Sequence, residues 1–200
     1  MTQRTILVTT ALLVLPLAAV AQQTWQIDPA HTNAEFSVRH LGISTVRGSF
    51  TKTTGTVQYD PADPSKTAID ATIDANSIDT RNENRDKDLR SDHFFDVQKF
   101  PTLTFKSKAA QASGPGKMKV TGDLTIHGVT KEVVLNVEGP SSPVKDQRGN
   151  LHVGASASTV VNRSDFGMTG YQGMVGNEIT INIDVEVLQR APQTAGSSTP

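Results

Sequence analysis

The chain has 200 residues and a formal charge of −1, with 19 Lys and Arg against 20 Asp and Glu. That balance argues against a nucleic-acid binder, which concentrates basic side chains. The chain has no cysteine, which excludes thiolate catalysis, zinc–thiolate sites and a disulfide framework.

Residues 1–21 read as a secretory signal. Arg4 supplies a positive start, residues 6–20 form an apolar run broken by Pro16, and Ala19-Val20-Ala21 has the small-x-small pattern of a cleavage site. Cleavage there leaves Gln22 first and removes Arg4, taking the charge from −1 to −2. No other run reaches the roughly 20 apolar residues of a membrane helix. The mature chain is therefore expected to be periplasmic or secreted, without stable membrane insertion. The roughly 180 remaining residues suit one domain with a sizeable core.

From here the pattern is β. Phe36 and Val38 mark a first strand, and Val57 and Tyr59 a second. Asp60-Pro61-Ala62-Asp63-Pro64 is turn chemistry. Ile69, Ala71, Ile73 and Ala75 then alternate with Asp70, Thr72 and Asp74, the signature of a half-buried strand. Next comes the one break in the pattern, a highly charged segment predicted as a single helix near residues 80–92. Thr80 and Glu83 fit a T-x-x-E capping box. Glu83 with Lys87, and Asp86 with Arg90, are i,i+4 pairs in the favourable order. Arg85, Leu89 and His93 fall on one stripe with a single aliphatic member, so this helix must lie over something, with Leu89, Phe94 and Phe95 pointing in. The reading is a lid over an apolar interior.

Leu103 and Phe105 return the chain to strand. Val120, Gly122, Leu124 and Ile126 pair with Val133, Leu135 and Val137 through a hairpin at His127-Gly128. Gly114-Pro115-Gly116-Lys117 is another hairpin turn. Residues 151–162 make a further strand rich in small side chains, and Ile179, Ile181, Ile183, Val185 and Val187 alternate strictly with polar residues. Residues 189–200 read as a disordered polar tail. About eight antiparallel strands with one helix fit a barrel or a sandwich, and periodicity does not choose between them.

The five histidines, His31, His40, His93, His127 and His152, show no H-x-x-x-H spacing, so no metal site is expected; nor is a cofactor. Asp86, Asp88, Asp92 and Asp165 are the carboxylates a lipid-modifying enzyme would use, and a solvated helix face is the plainer reading of those near the helix. Arg85 beside Asp86, and Arg163 beside Asp165, suggest arginines paired with acids at a barrel end, or available to an anionic head group.

Several blocks together resemble the YceI-like family of exported, lipocalin-like proteins. They are Asp28-Pro29-Ala30-His31-Thr32 with Phe36-Ser37-Val38-Arg39-His40-Leu41 and Val46-Arg47-Gly48-Ser49-Phe50; Ser77-Ile78-Asp79-Thr80, Arg85-Asp86, Leu89-Arg90-Ser91, Phe94-Phe95-Asp96 and Phe100-Pro101; Thr104-Phe105-Lys106-Ser107; Thr121 to Thr130; and Asn162-Arg163-Ser164-Asp165-Phe166-Gly167. One departure is Asp88, where the family often has histidine. The resemblance implies an all-β fold, an extended eight-stranded antiparallel lipocalin-like barrel over residues 22–188 with one short helix. It also implies an internal apolar tunnel for a polyisoprenoid or similar long-chain amphiphile, and no enzymatic activity. On that reading Phe36, Val38, Phe50, Arg85, Leu89, His93, Phe94, Phe95, Phe105, Arg163, Phe166 and Met168 contact the ligand, and a homodimer is compatible with it. The rivals are an exported lipid-modifying enzyme and a ligand-free β domain whose core is filled by Phe36, Phe50, Phe105 and Phe166.

Overall fold

The computed structural model describes residues 23–60 and 63–191; the predicted signal and the end of the polar tail lie outside them. The strands are β1 (Gln23–Ile27), β2 (Asn33–His40), β3 (Ser44–Phe50), β4 (Thr53–Tyr59), β5 (Ala68–Asp74), β6 (Ile78–Asp79), β7 (Thr102–Gly114), β8 (Lys117–Ile126), β9 (Val129–Glu138), β10 (Val144–Lys145), β11 (Leu151–Asn162) and β12 (Val175–Gln189), and the α-helix is α1 (Glu83–Arg90). Every pairing is antiparallel. Eight strands form a closed ring in the order β11-β9-β8-β7-β5-β4-β1-β12, with β12 returning to β11.

β12 closes the ring because it is long enough to serve several partners. One edge pairs with β11 throughout, from Leu151↔Gln189 to Asn162↔Glu178. Its other edge is shared between β2, which takes residues 175–184, and β1, which takes Val187 and Leu188. β3 and then β6 extend the wall outward from β2.

The eight strands read from the sequence include β2 but omit β1 and β3. β1 is only five residues long. In β3 the inward positions are Val46, Gly48 and Phe50, and the glycine interrupts the apolar alternation. Gly48 is required there: the Phe36 ring from β2 lies over it, and a Cβ would collide with that ring and with Thr80. Ala75 leaves β5 for a 3-10 turn (Ala75–Ser77), whose Asn76 N–H donates to the Asp74 carboxylate at 2.9 Å. The β8–β9 hairpin turns on His127 and Gly128, both at positive φ (52° and 73°), the two-residue geometry that matches strand twist. Gln189, assigned from the sequence to the polar tail, is in β12, and the Ala191 N–H donates to Asn150 Oδ1 at 3.2 Å.

The helix is shorter than predicted and starts differently. Its N-cap is Asn82, whose side chain accepts the Arg85 N–H at 3.0 Å, so the Thr80–Glu83 box is not used. Thr80 instead presents its N–H and hydroxyl to the buried Asp86 carboxylate. Asp86 and Arg90 do not pair either. Arg90 donates to the carbonyls of Asn76 (3.0 Å) and Ile78 (2.6 Å), and Arg85 to the carbonyl of Thr80 (2.8 Å). These three carbonyls belong to alternate residues running from the 3-10 turn through β6 to Thr80 just after it. Unpaired sheet edges need partners, and two helix arginines supply them here.

Packing divides along the barrel. Beneath the helix, Phe50, Ala75, Ile78, Val97, Leu103, Ile126, Phe166 and Met168 form a solid cluster, with Phe166 only 1% exposed. Further along the wall lie two smaller clusters, one around Phe105, Met118 and Val120 and one around Trp25, Ile27, Val153 and Val187. On β12, however, Ile179, Ile181, Ile183 and Val185 are only half-buried although they face inward. They are exposed to a hollow.

Candidate functional site

That hollow is a cavity of about 590 Å³ inside the barrel, within the roughly 300–1,000 Å³ range of small-molecule sites. β12 alone contributes Val175, Ile179, Ile181, Ile183, Val185 and Val187 to its wall. At about 3.3 Å per residue, that is on the order of 40 Å of strand. A volume of this size spread over such a length makes a narrow channel, shaped for a chain rather than a compact molecule. The opposite wall includes Val57, Ile69, Ala71, Val120, Leu135 and Val137. Three exposed lining residues, Asn84 on α1 and Tyr171 and Met174 in the loop before β12, mark where the channel opens.

The segment after α1 closes over this opening. Phe95 meets Phe50 edge-on with centroids 5.5 Å apart, and Phe50 packs on Phe36 at 6.0 Å. Phe94 turns the other way and stacks on Tyr171 at 5.8 Å. His93 meets the same tyrosine ring at 5.4 Å and contacts Asp88 Oδ1 through Nδ1 at 2.8 Å. That hydrogen bond holds the His93 pKa above its ordinary 6.5. Asp88, the departure from the family pattern, thus stands with an imidazole that comes from five residues further on.

Of the predicted contact residues, Phe36, Val38, Phe50, Arg85, Leu89, Phe94, Phe95, Phe105, Arg163 and Met168 line the cavity. His93 and Phe166 do not. The helix ends at Arg90, so His93 leaves the stripe and points to the surface, while Phe166 is sealed inside the solid cluster. The expected arginine–acid pairs also give way to other bonds. Arg163, 4% exposed, donates to the carbonyls of Gly176 (2.9 Å), Met168 (2.9 Å) and Val175 (3.0 Å), and lies over the Phe94 ring at 5.9 Å. Its burial lowers its pKa from the ordinary arginine range. Arg85 donates its Nε–H to the Thr80 hydroxyl and an Nη2–H to the Thr80 carbonyl, both at 2.8 Å. These arginines fasten loops. Nor do the carboxylates converge: Asp86 is occupied by Thr80, Asp88 by His93, and Asp92 and Asp165 are exposed.

Sequence reasoning missed Tyr171 and Met174, which sit in a glycine-punctuated loop with no periodicity. It also missed most of the inward faces of its own predicted strands. The alternation along residues 179–187 would have found the latter.

A second polar constellation lies on the outer wall. His31 Nδ1 is 2.8 Å from Asp28 Oδ2 and 3.9 Å from Glu186 Oε1; His152 contacts that same Glu186 oxygen at 2.7 Å and Asp146 at 3.2 Å. The Asp28, His31 and Glu186 atoms lie within 4.8 Å of one another. The group clasps the β1–β2 corner, the turn after β10, β11 and β12 together. Its hydrogen bonds shift its members: Asp28 holds His31 above 6.5, and Glu186 and then Asp146 do the same for His152. The His31 bond lowers Asp28 below 3.8. Burial works against the Asp146 charge, but hydrogen bonds from Asn150, His152 and Arg148 outweigh it and bring that pKa down to about 2. A raised histidine stabilises the fold below its unfolded pKa and loses that contribution as pH rises through its folded value. A lowered carboxylate stabilises above its unfolded pKa and loses it as pH falls through its folded value. Both contributions coexist between 3.8 and 6.5. The melting-temperature difference between wild type and His152→Ala should therefore peak in that window and shrink on either side. A difference flat across pH would show that the clasp does not titrate with folding.

Residues 25–187 match the YceI-like domain family. A UPF0312 protein of Vibrio cholerae serotype O1 is 38% identical over 160 residues, covering 79% of this chain and 84% of its own length. Protein YceI of Salmonella arizonae is 34% identical over 173 residues, covering 86% and 90%. Among solved structures, the Campylobacter jejuni YCEI protein superposes with a TM-score of 0.67 at 34% identity, covering 76% of this chain and 90% of that one. Burkholderia cenocepacia BcnA shares the fold with a TM-score of 0.71 at 24% identity, covering 80% and 98%. So does a polyisoprenoid binding domain from Saccharophagus degradans, with a TM-score of 0.62 at 16% identity, covering 84% and 98%. A closed antiparallel barrel with one helix over its opening, and relatives that match along nearly its whole length, place this chain in the YceI-like family.

Proposed function

We propose that this protein is an exported, non-enzymatic carrier that holds a long-chain isoprenoid or similar amphiphile inside its barrel. The observation that carries the reading is the channel itself, about 590 Å³ of apolar space running along β12. Burial of one methylene is worth about 0.8 kcal/mol, so a chain of about 15 carbons gains on the order of 10 kcal/mol gross. Ordering the chain and seating it offsets part of this, and the remainder suffices for micromolar binding or better without any head-group contact. The fold shared with a polyisoprenoid binding domain supports the ligand class. The positive start, apolar run and small-x-small site of residues 1–21 support export.

The dispersed carboxylates, Asp86 and Asp88 held by neighbours and Asp92 and Asp165 exposed, speak against the enzyme reading, and the hollow interior against a filled β domain. Mass spectrometry of an organic extract of the purified protein should recover a long-chain lipid in near-stoichiometric amount. An extract without lipid, combined with failure of the protein to take up an added prenol, would refute the carrier reading.

A further inference from the structure

On the outer wall, at the end of the barrel away from the opening, donor atoms from distant parts of the chain converge. Asp28 and His31 come from the β1–β2 corner and Glu186 from β12. Glu186 points outward because its neighbours Val185 and Val187 face the channel. One ligand-capable atom from each of the three lies within 4.8 Å of the other two. His31 Nδ1 is 2.8 Å from Asp28 Oδ2 and 3.9 Å from Glu186 Oε1. Spacings of this size leave room for a cation about 2–2.4 Å from each atom, close to usual Zn–N and Zn–O lengths. Solvent reaches the group: the side chains of His31, Glu186 and Asp28 are 65%, 32% and 14% exposed.

The backbone fixes this geometry. The Asp28 N–H donates to the Glu186 carbonyl at 2.9 Å. The Thr32 hydroxyl donates to the same carbonyl at 3.3 Å and accepts the Glu186 N–H at 3.2 Å. The Ala30 N–H occupies Asp28 Oδ1 at 2.9 Å, which leaves Oδ2 to face His31. His152 sets the Glu186 carboxylate: its Nδ1 contacts Oε1 at 2.7 Å while its Nε2 faces Asp146 at 3.2 Å. Metal-binding carboxylates are held by such outer hydrogen bonds. Without a cation the same atoms hold one another, so the shape of the site does not depend on the ion.

Donor chemistry selects the ion. One imidazole and two carboxylates suit Zn2+, whereas Mg2+ and Ca2+ take six or more oxygens. The two carboxylates balance a divalent charge, and the exposed side leaves a fourth position to water. We propose that Asp28, His31 and Glu186 bind Zn2+, with His152 as a positioning residue, and that the ion pins the β1–β2 corner onto β12. The site lies outside the channel and does not depend on what the channel holds. Histidine spacing could not announce it, because it uses a single histidine and a glutamate from the far end of the chain.

The test is calorimetric titration of ZnCl2 into the full mature chain, free of any affinity tag and pre-treated with chelator, at neutral pH. One Zn2+ should bind per chain, and MgCl2 should give no saturable heat. His31→Ala and the shape-conserving Asp28→Asn should each weaken Zn2+ at least about tenfold, and His152→Ala about tenfold. His93→Ala, which removes the surface imidazole beside Asp88, should change nothing. Zn2+ should raise the melting temperature of wild type but not of Asp28→Asn. Absence of one-to-one binding, or equal affinity in wild type, His31→Ala and Asp28→Asn, overturns the proposal. So does a loss confined to His93→Ala, which places the ion at the lid. If the variants do not fold, X-ray absorption at the zinc edge of the wild type decides. A single imidazole among oxygen ligands is expected, and two or more imidazoles overturn the site.

Discussion

Phe166→Ala should destabilise the protein by about 3–5 kcal/mol, the usual range for deleting a buried aromatic ring. The ring is 1% exposed and belongs to the cluster of Phe50, Ala75, Ile78, Val97, Leu103, Ile126 and Met168. That cluster gathers the end of β3, the turn after β5, the segment after α1, β7, β8 and the 3-10 turn (Arg163–Phe166). The ring does not border the channel, so the hole it leaves is a new void in a solid region, and its neighbours are held by the barrel and cannot collapse into it. Denaturant unfolding of wild type and variant measures the loss. A change below about 1 kcal/mol would mean that the region beneath the helix is not solidly packed.

Ala157→Phe should do the opposite, leaving the fold nearly intact while abolishing uptake. Ala157 is an inward residue of β11, opposite Ile183 on β12 and Val137 on β9, and it borders the channel midway along its length. Adding a phenyl ring to a filled core costs typically about 1–3 kcal/mol in strain. Here the ring enters open space, so the melting temperature should change little. A ligand stopped at that point loses the burial of everything beyond it. Four methylenes at about 0.8 kcal/mol each come to roughly 3 kcal/mol, more than a hundredfold in affinity. Retention of a labelled long-chain prenol, set beside the thermal melt, checks both halves. Undiminished retention would place the binding site elsewhere on the molecule.

These two residues mark where the linear pattern stopped being informative. The sequence reading put Phe166 among the ligand contacts and gave Ala157 only a place in a strand rich in small side chains, yet the first is sealed in a solid cluster and the second faces the cavity. Alternation reports which face of a strand turns inward. It says nothing about whether the inside is full, because that depends on how far apart the opposing walls stand. The lid was legible for a related reason: a charged segment with one aliphatic stripe position, followed by Phe94-Phe95, has to rest on something apolar. Its fastening was not legible. The carbonyls of Asn76, Ile78 and Thr80 line up as a target only once β6 has paired with β3, and they drew Arg85 and Arg90 away from the acids next to them in sequence.

The sequence by itself determined the strand-rich class, most strand positions, the single helix and the family, since each rests on local periodicity or on short contiguous blocks. Tertiary structure alone decided which eight strands close the ring, because β12 must run past β2 before it can meet β1. It alone joined Asp28, His31, Asp146, His152 and Glu186, which strand register brings together across more than half the chain. It also showed that Arg163, predicted to sit beside Asp165, gives its guanidinium to the carbonyls of Gly176, Met168 and Val175. A side chain's capacity to bind a ligand is what remains after its neighbours in space have taken their share.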